Sequence, residues 1–182
     1  MSWTIDAAHS RVGFNVTPMM ISRVRGEFES FSGTVEFDEA NPAATTVTVD
    51  VDVNSINTRV ADRDNHLRSA DFFNVSEQPV MSFRSTKVEL TGGNTAKMTG
   101  DLSIRGVTKP VVLDVEYSGL AKSPWGTTSA GFSATGVIRR TEWGLTWNAP
   151  LETGGLLVGE DVTITLEVEL VRQEAPEAVA LA

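Results

Sequence analysis

The sequence predicts an all-β fold, an extended eight-stranded antiparallel up-and-down barrel with one short helix between strands 3 and 4. Three observations carry this. Apolar and polar residues alternate with a period of two through most of the chain, as where Val47, Val49, Val51 and Val53 are separated by Thr48, Asp50 and Asp52. That is the pattern of strands with one face on a core. Eight such runs follow one another with short connections, and at about eleven residues each they are long. At roughly 3.3 Å per residue and a tilt of about 40°, they would build a barrel about 28 Å tall. Finally, the alternation gives way for about twenty positions over Arg59–Pro79, where charges crowd ahead of the pair Phe72-Phe73.

Taken in order, Val12, Phe14 and Val16 share one face of the first strand, which Pro18 is expected to end. Met19 to Ser22 reads as one helical turn. Val24, Gly26 and Phe28 alternate, and so do Phe31, Gly33, Val35 and Phe37. The odd step from Phe28 to Phe31 flips the phase, so a bulge is expected at Glu29-Ser30. Asn41-Pro42 is a turn before the valine run of strand 3. Strand 4 spans Val80 to Leu90, with Met81 and Phe83 out of phase with Val88 and Leu90, which again implies a bulge. Gly92-Gly93-Asn94 turns the chain into Met98, Gly100, Leu102 and Ile104. Gly106 marks a hairpin, answered by Val111, Leu113, Val115 and Tyr117. A loop at Pro124-Trp125 leads to Phe132, Ala134, Gly136 and Ile138. Arg139–Glu160 is irregular, and Val162, Ile164, Leu166, Val168 and Leu170 form the last strand. Residues 1–172 read as one domain and 173–182 as a flexible tail.

Within Arg59–Pro79 a helix is expected from about Ala61 to Ser69. Asp64 and Arg68, four apart, are spaced to pair on its surface. Arg59, Arg63 and His66 would gather on one side. The turn after it drives Phe72 and Phe73 inward, so the segment reads as a polar lid with an aromatic plug, or as a surface connector whose phenylalanines complete a core.

Composition narrows the function. Formal net charge is −9, from 24 acidic and 15 basic residues, which argues against nucleic acid and anionic surfaces as partners. No cysteine is present, excluding disulfides and thiolate chemistry. No apolar run approaches the length of a membrane span. The opening MSWTIDAAHSR has no basic n-region and no apolar h-region, so a cytoplasmic location without a signal peptide is expected. Eight strands is the size at which a barrel interior is either just filled or holds one small ligand. Glycines at inward positions are expected to leave room, giving a cavity with almost wholly apolar walls that calls for a greasy guest.

Four ordered motifs then resemble a known family. They are Trp3-x-Ile5-Asp6-x-x-His9-Ser10-x-Val12-x-Phe14, then Arg63-Asp64-x-His66-Leu67-Arg68-Ser69-x-x-Phe72-Phe73 with Pro79 after it, then Gly100-Asp101-Leu102-Ser103-Ile104-Arg105-Gly106-Val107-Thr108-Lys109-Pro110-Val111, and last Arg139-Arg140-x-x-Trp143-Gly144. Together they look like the YceI-like family of polyisoprenoid-binding proteins, over roughly residues 2–171. The resemblance implies a lipocalin-like barrel, usually a homodimer, with an isoprenoid or other long-chain amphiphile threaded through its interior. No cofactor is implied.

The candidate apolar wall is Phe14, Phe28, Phe72, Phe73, Met81, Phe83, Leu113, Phe132 and Ile138, each of which could equally be filled core. Met81 and Met98 suit an adaptable wall. Candidate contacts to a polar head are His9, Arg63, His66 and Arg140; the last three otherwise pair with Asp62, Asp64 or Asp71, and His9 otherwise bonds to Asp6 or to backbone and fixes the barrel mouth. Trp143 and Trp147 either flank an opening or pack beneath it. Asp6, His9 and Ser10 do not read as a catalytic triad, because Ser10 enters a regular strand rather than a sharp elbow. Two histidines without metal-ligand spacing give no metal site. The leading function is non-enzymatic carriage of a long-chain isoprenoid or fatty-acyl lipid. The alternatives are an enzyme acting on a lipid or quinone precursor through His9, His66 or Arg140, and a packed barrel acting as an interaction module.

Overall fold

The alternating runs become eight long antiparallel strands in the computed structural model, which describes residues 2–19, 22–152 and 156–172. They are β1 (Ser2–Ile5 and Arg11–Met19), β2 (Ser22–Phe28 and Phe31–Glu36), β3 (Thr46–Asp52 and Ile56–Asn57), β4 (Val80–Leu90), β5 (Thr95–Ile104), β6 (Val107–Lys122), β7 (Thr128–Arg139) and β8 (Asp161–Arg172). Each pairs with its neighbour in sequence, and β1 pairs with β8 along both of its halves, from Trp3↔Arg172 to Val16↔Val162. The sheet is therefore a closed barrel, and closure removes the exposed edges that an open sheet must protect.

Three adjacent strands break where the wall bends. β1 is interrupted by a 3-10 turn at Ala7–His9, β2 at Glu29-Ser30 and β3 by a 3-10 turn at Val53–Ser55. The breaks are stitched together: Glu29 N donates to Ser55 O (3.2 Å), Asp52 N to Ser30 O (2.9 Å) and Asp6 N to Glu169 O (2.9 Å). Two residues without ladder partners explain the phase flip between Phe28 and Phe31. The second flip has the same cause. Pairing of β4 with β5 shifts between Ser85 and Lys87, which returns Val88 and Leu90 to the side of Met81 and Phe83. Arg105 and Gly106, both at positive φ, close the two-residue β5–β6 hairpin, the backbone that such turns need.

Pro18 does not end β1. The strand runs through it to Met19, which pairs with Ser22, and the register shifts between Val16 and Met19. An irregular stretch has no regular ladder bond for proline to remove. The helical turn expected at Met19 to Ser22 is thus not formed by its two ends. Met20 and Ile21 lie outside the described residues, as does the expected tail at 173–182.

The one α-helix among the described residues, α1 (Ala61–Arg68), falls where expected, between β3 and β4. Its own side chains do not hold it as the spacing implied. Asp64 is buried and accepts from Thr58 N (2.8 Å) and from the Thr58 hydroxyl, while Arg68 donates to Asn54 O and Ile56 O, both at 3.0 Å. The Asp64–Arg68 pair is absent because each partner finds a better-fixed group at the end of β3. Arg59 precedes the helix at φ 66° and does not join Arg63 and His66 on its face. Leu67, Phe72 and Phe73 pack inward, against Leu102, Ile138 and Trp143 on one side and Phe28 and Val51 on the other. A separate cluster of Trp3, Val35, Phe37, Ala130 and Leu170 sits at the opposite end of the barrel.

The inward glycines do not leave empty space, contrary to expectation. A Cβ on Gly100 would stand 2.3 Å from Phe83 Cζ, and one on Gly26 would stand 2.3 Å from Phe14 Cζ. At each glycine the tip of a neighbouring phenylalanine ring occupies the place a Cβ would take. Gly100→Ala should therefore lift the Phe83 ring and cost about 1–3 kcal/mol, the usual penalty of overpacking. Urea denaturation would measure it, and unchanged stability would show that the ring moves freely.

Candidate functional site

Laying rings against the wall leaves the axis open. A cavity of about 580 Å³ extends along the inside of the barrel from α1 to the opposite end. Its walls are the inward faces of the strands. β1 and β2 supply Phe14 and Phe28, the segment after α1 supplies Phe72 and Phe73, and β4 supplies Met81 and Phe83. Leu113 comes from β6, and Phe132 and Ile138 from β7. All nine apolar residues singled out in the sequence thus face one space. Met98 joins them, while Trp143 is buried beneath the wall and donates from Nε1 to Leu102 O (2.9 Å).

Polar groups reach the cavity at its two ends. At the α1 end are Arg63, His66 and Arg140. Arg140 is buried, yet it faces no carboxylate within ion-pair distance among the described residues. Its Nε donates to Gly159 O (2.7 Å), Nη1 to Leu145 O and to Trp147 O (3.2 Å), and Nη2 to Val158 O (3.2 Å). Burial holds its guanidinium below the ordinary arginine value. It is the clamp that folds the loop between β7 and β8 over the barrel end. Arg63 is less committed, donating from Nε to the Thr58 hydroxyl (2.8 Å) and from Nη2 to Thr58 O (2.7 Å). His66 shares a 2.8 Å hydrogen bond with Asp71 through Nε2 and stands edge-on to Trp147, ring centroids 4.5 Å apart.

The other end is a mouth. Here the cavity reaches the exposed turn residues Gly92, Gly93 and Asn94, together with exposed Glu39. Tyr117 ties this rim together: its backbone N donates to Asn94 O (2.8 Å) and its hydroxyl to Glu39 Oε2 (3.0 Å). Burial first, and the Glu39 carboxylate second, push the phenol up to about 12. Tyr117 continues the inward set of β6 and could have been chosen on that ground. Glu39, in an irregular turn, carried no sequence signal.

His9 does not join the cavity. It sits in the break of β1, with its side chain 66% exposed, and shares a 2.8 Å hydrogen bond from Nδ1 to Asp6 Oδ2. That bond raises the histidine pKa and lowers the aspartate pKa. Ser10 instead exchanges hydrogen bonds with the main chain of Glu169, so no nucleophile–base pair forms. Ligand atoms of Asp6, His9 and Glu169 lie within 4.8 Å of one another, the one such group among the described residues with donors able to hold a metal ion. His66 is not part of it.

An eight-stranded closed antiparallel barrel with one short helix and an apolar axial cavity is the class of protein these features define. The chain belongs to the YceI-like domain family, which matches residues 3–170. A UPF0312 protein of Ectopseudomonas mendocina is 39% identical over 165 residues, covering 91% of this chain and 83% of its own. A UPF0312 protein of Staphylococcus aureus strain USA300 is 37% identical over 169 residues, with coverages of 92% and 96%. Among solved structures, the Campylobacter jejuni YCEI protein superposes with a TM-score of 0.75 at 36% identity, covering 93% of this chain and 96% of its own. A polyisoprenoid binding domain from Saccharophagus degradans shares the fold, with a TM-score of 0.64 at 17% identity and coverages of 96% and 98%.

Two titrations follow. Tyr117 is the one tyrosine in the chain, so ultraviolet absorbance reads it alone. Phenolate should appear only near pH 12, and Glu39→Gln should bring the midpoint down. A midpoint at the ordinary value of about 10 would mean that the rim contact is not formed. By NMR, His9 should titrate above about 6.5, and Asp6→Asn should remove the elevation. The pair's contribution to stability is complete below the ordinary histidine value and lost as pH rises through the raised one. On the acid side it is lost as pH falls through the lowered Asp6 value. Equal His9 midpoints in both proteins would remove the pair.

Proposed function

We propose that this protein binds and carries, without chemistry, a single long-chain amphiphile of polyisoprenoid type in its axial cavity. The observation that carries the reading is an apolar space of about 580 Å³ with polar groups only at its ends, within the roughly 300–1,000 Å³ usual for small-molecule sites. Each methylene moved from water into such a space contributes about 0.8 kcal/mol, so a chain of sixteen carbons gains on the order of 10 kcal/mol gross. Association and chain ordering take back several of these. Close binding then needs only modest recognition of the head. The same fold in a protein described as a polyisoprenoid binding domain favours an isoprenoid over a fatty acyl chain.

In this reading the phenylalanines, Met81, Leu113 and Ile138 touch the chain, and a polar or anionic head lies under α1. Arg63 and His66 are its main contacts, because Arg140 already spends four N–H groups on main-chain carbonyls. His9, outside the cavity, has no part in it. A homodimer, a transport role and a cytoplasmic setting remain part of the reading.

Solvent extraction of the purified protein followed by mass spectrometry tests it. A stoichiometric prenyl-chain amphiphile is expected. Phe83→Arg, which puts a charge in the middle of the wall, should abolish retention while circular dichroism still shows the sheet. Full retention in that variant would remove Phe83 from the site, and an empty wild-type extract would count against carriage.

A further inference from the structure

At the mouth of the cavity the wall is uneven. Pairing of β5 with β6 ends at Thr95↔Glu116, but β6 runs on to Lys122. Beyond Tyr117 it is held by β7 alone, with Ser129↔Ala121 and Thr128↔Lys122 the last pairs. The β6–β7 hairpin therefore stands on the rim as a finger with one free side: β6 has no neighbour but β7 for roughly 20 Å beyond Glu116 at about 3.3 Å per residue, while β7 stays paired with β8 as far as Ser129↔Val171, so that only the turn clears the wall. Its tip is fixed: Ser123 N donates to Thr127 O (2.8 Å), Gly126 N to Ser123 O (3.1 Å), and Thr127 N to Ser123 Oγ (3.1 Å). Pro124 and Gly126, the latter at φ 86°, suit the turn positions they hold. The residue between them is Trp125, 89% exposed.

Two independent features mark this tip. A large aromatic side chain is presented to solvent on a rigid turn with nothing packed over it, while Trp3 and Trp143 are fully buried. The finger is also nearly free of charge. From Ser118 to Gly131 the only charged residue is Lys122, in a chain that carries 24 acidic and 15 basic residues. A tryptophan indole with one N–H and an apolar body is suited to the boundary between lipid head groups and acyl chains. The tip from Ser123 to Ser129 carries no charge, so it enters the head-group layer without a desolvation cost for acidic groups.

We propose that the tip of the β6–β7 hairpin, with Trp125 at its apex and Leu120 behind it, docks into the interface of an electrically neutral bilayer and holds the mouth beside Tyr117 and Glu39 against the membrane. The net charge of −9 sets the preference for neutral over anionic surfaces. The mouth's position gives the docking its purpose only if the cavity carries a lipid, so this step rests on the reading above, but the docking can be tested apart from it.

The experiment uses the whole protein and phosphatidylcholine vesicles with brominated acyl chains, which quench tryptophan emission at short range. Quenching with a blue shift is expected, and both should be lost in Trp125→Ala, a surface change that leaves the circular dichroism spectrum and thermal midpoint as in the wild type. Replacing half of the lipid with phosphatidylglycerol should weaken the effect. Quenching that persists in Trp125→Ala would come from lipid drawn into the cavity beside Trp147, which overturns the docking and sustains carriage. Loss of quenching in Trp125→Ala, with lipid-free extracts, would sustain docking and sink carriage. No quenching in the wild type, or a change of sedimentation in Trp125→Ala without any vesicle effect, would assign Trp125 to a protein contact and overturn the proposal.

Discussion

Two phenylalanine rings lean onto the barrel wall where glycine gives them room, and the open axis depends on that contact. Phe83 covers Gly100 and Phe14 covers Gly26 at distances that exclude a Cβ. A barrel of eight strands has little interior to spare, and side chains that project to the axis fill it. Rings that lie along the wall cover its backbone with apolar surface and leave the centre free. Leu113 does the same over Gly136, with Cδ2 2.8 Å from the place of a Cβ. The hollow is thus made by the partners of the glycines rather than by missing side chains, and it is apolar for the same reason.

The two ends of the hollow are built on different principles. At the α1 end the chain is locked by main-chain hydrogen bonds to charged side chains. Arg140 binds four carbonyls, Arg68 two, and Asp64 caps the end of β3 through Thr58. Removing Arg140 strands four carbonyls at once, of which that of Leu145 is buried and would cost about 1–3 kcal/mol. This end is therefore a floor as much as a lid. The far end is held by the buried cluster of Trp3, Val35, Phe37, Ala130 and Leu170, with Tyr117 edge-on to Phe37 and tilted against Phe132, ring centroids 5.6 and 5.0 Å away, and its rim is formed by exposed turns.

Strand order, the bulges at Glu29-Ser30 and in β4, the helix and the inward apolar set were legible because a period of two admits only one face, and any phase flip must be absorbed by an extra residue. Pairings of charged residues were not. Asp64 and Arg68 have ideal helical spacing, but Thr58 and the carbonyls at the end of β3 compete for them, and sequence separation does not reveal those groups. His9 was misplaced because a motif position does not tell which side of the wall a break in β1 presents. Glu39 was missed for a like reason: only the fold brings it to a tyrosine 78 positions away.

The central claim is an open apolar bore kept clear by rings on its wall. A crystal structure of the protein as purified from cells tests it most directly, through the electron density along the axis. Continuous chain-like density between Trp147 and Tyr117, with Phe14 and Phe83 still against Gly26 and Gly100, is the predicted result. Those rings swung inward and meeting across a filled centre would contradict it.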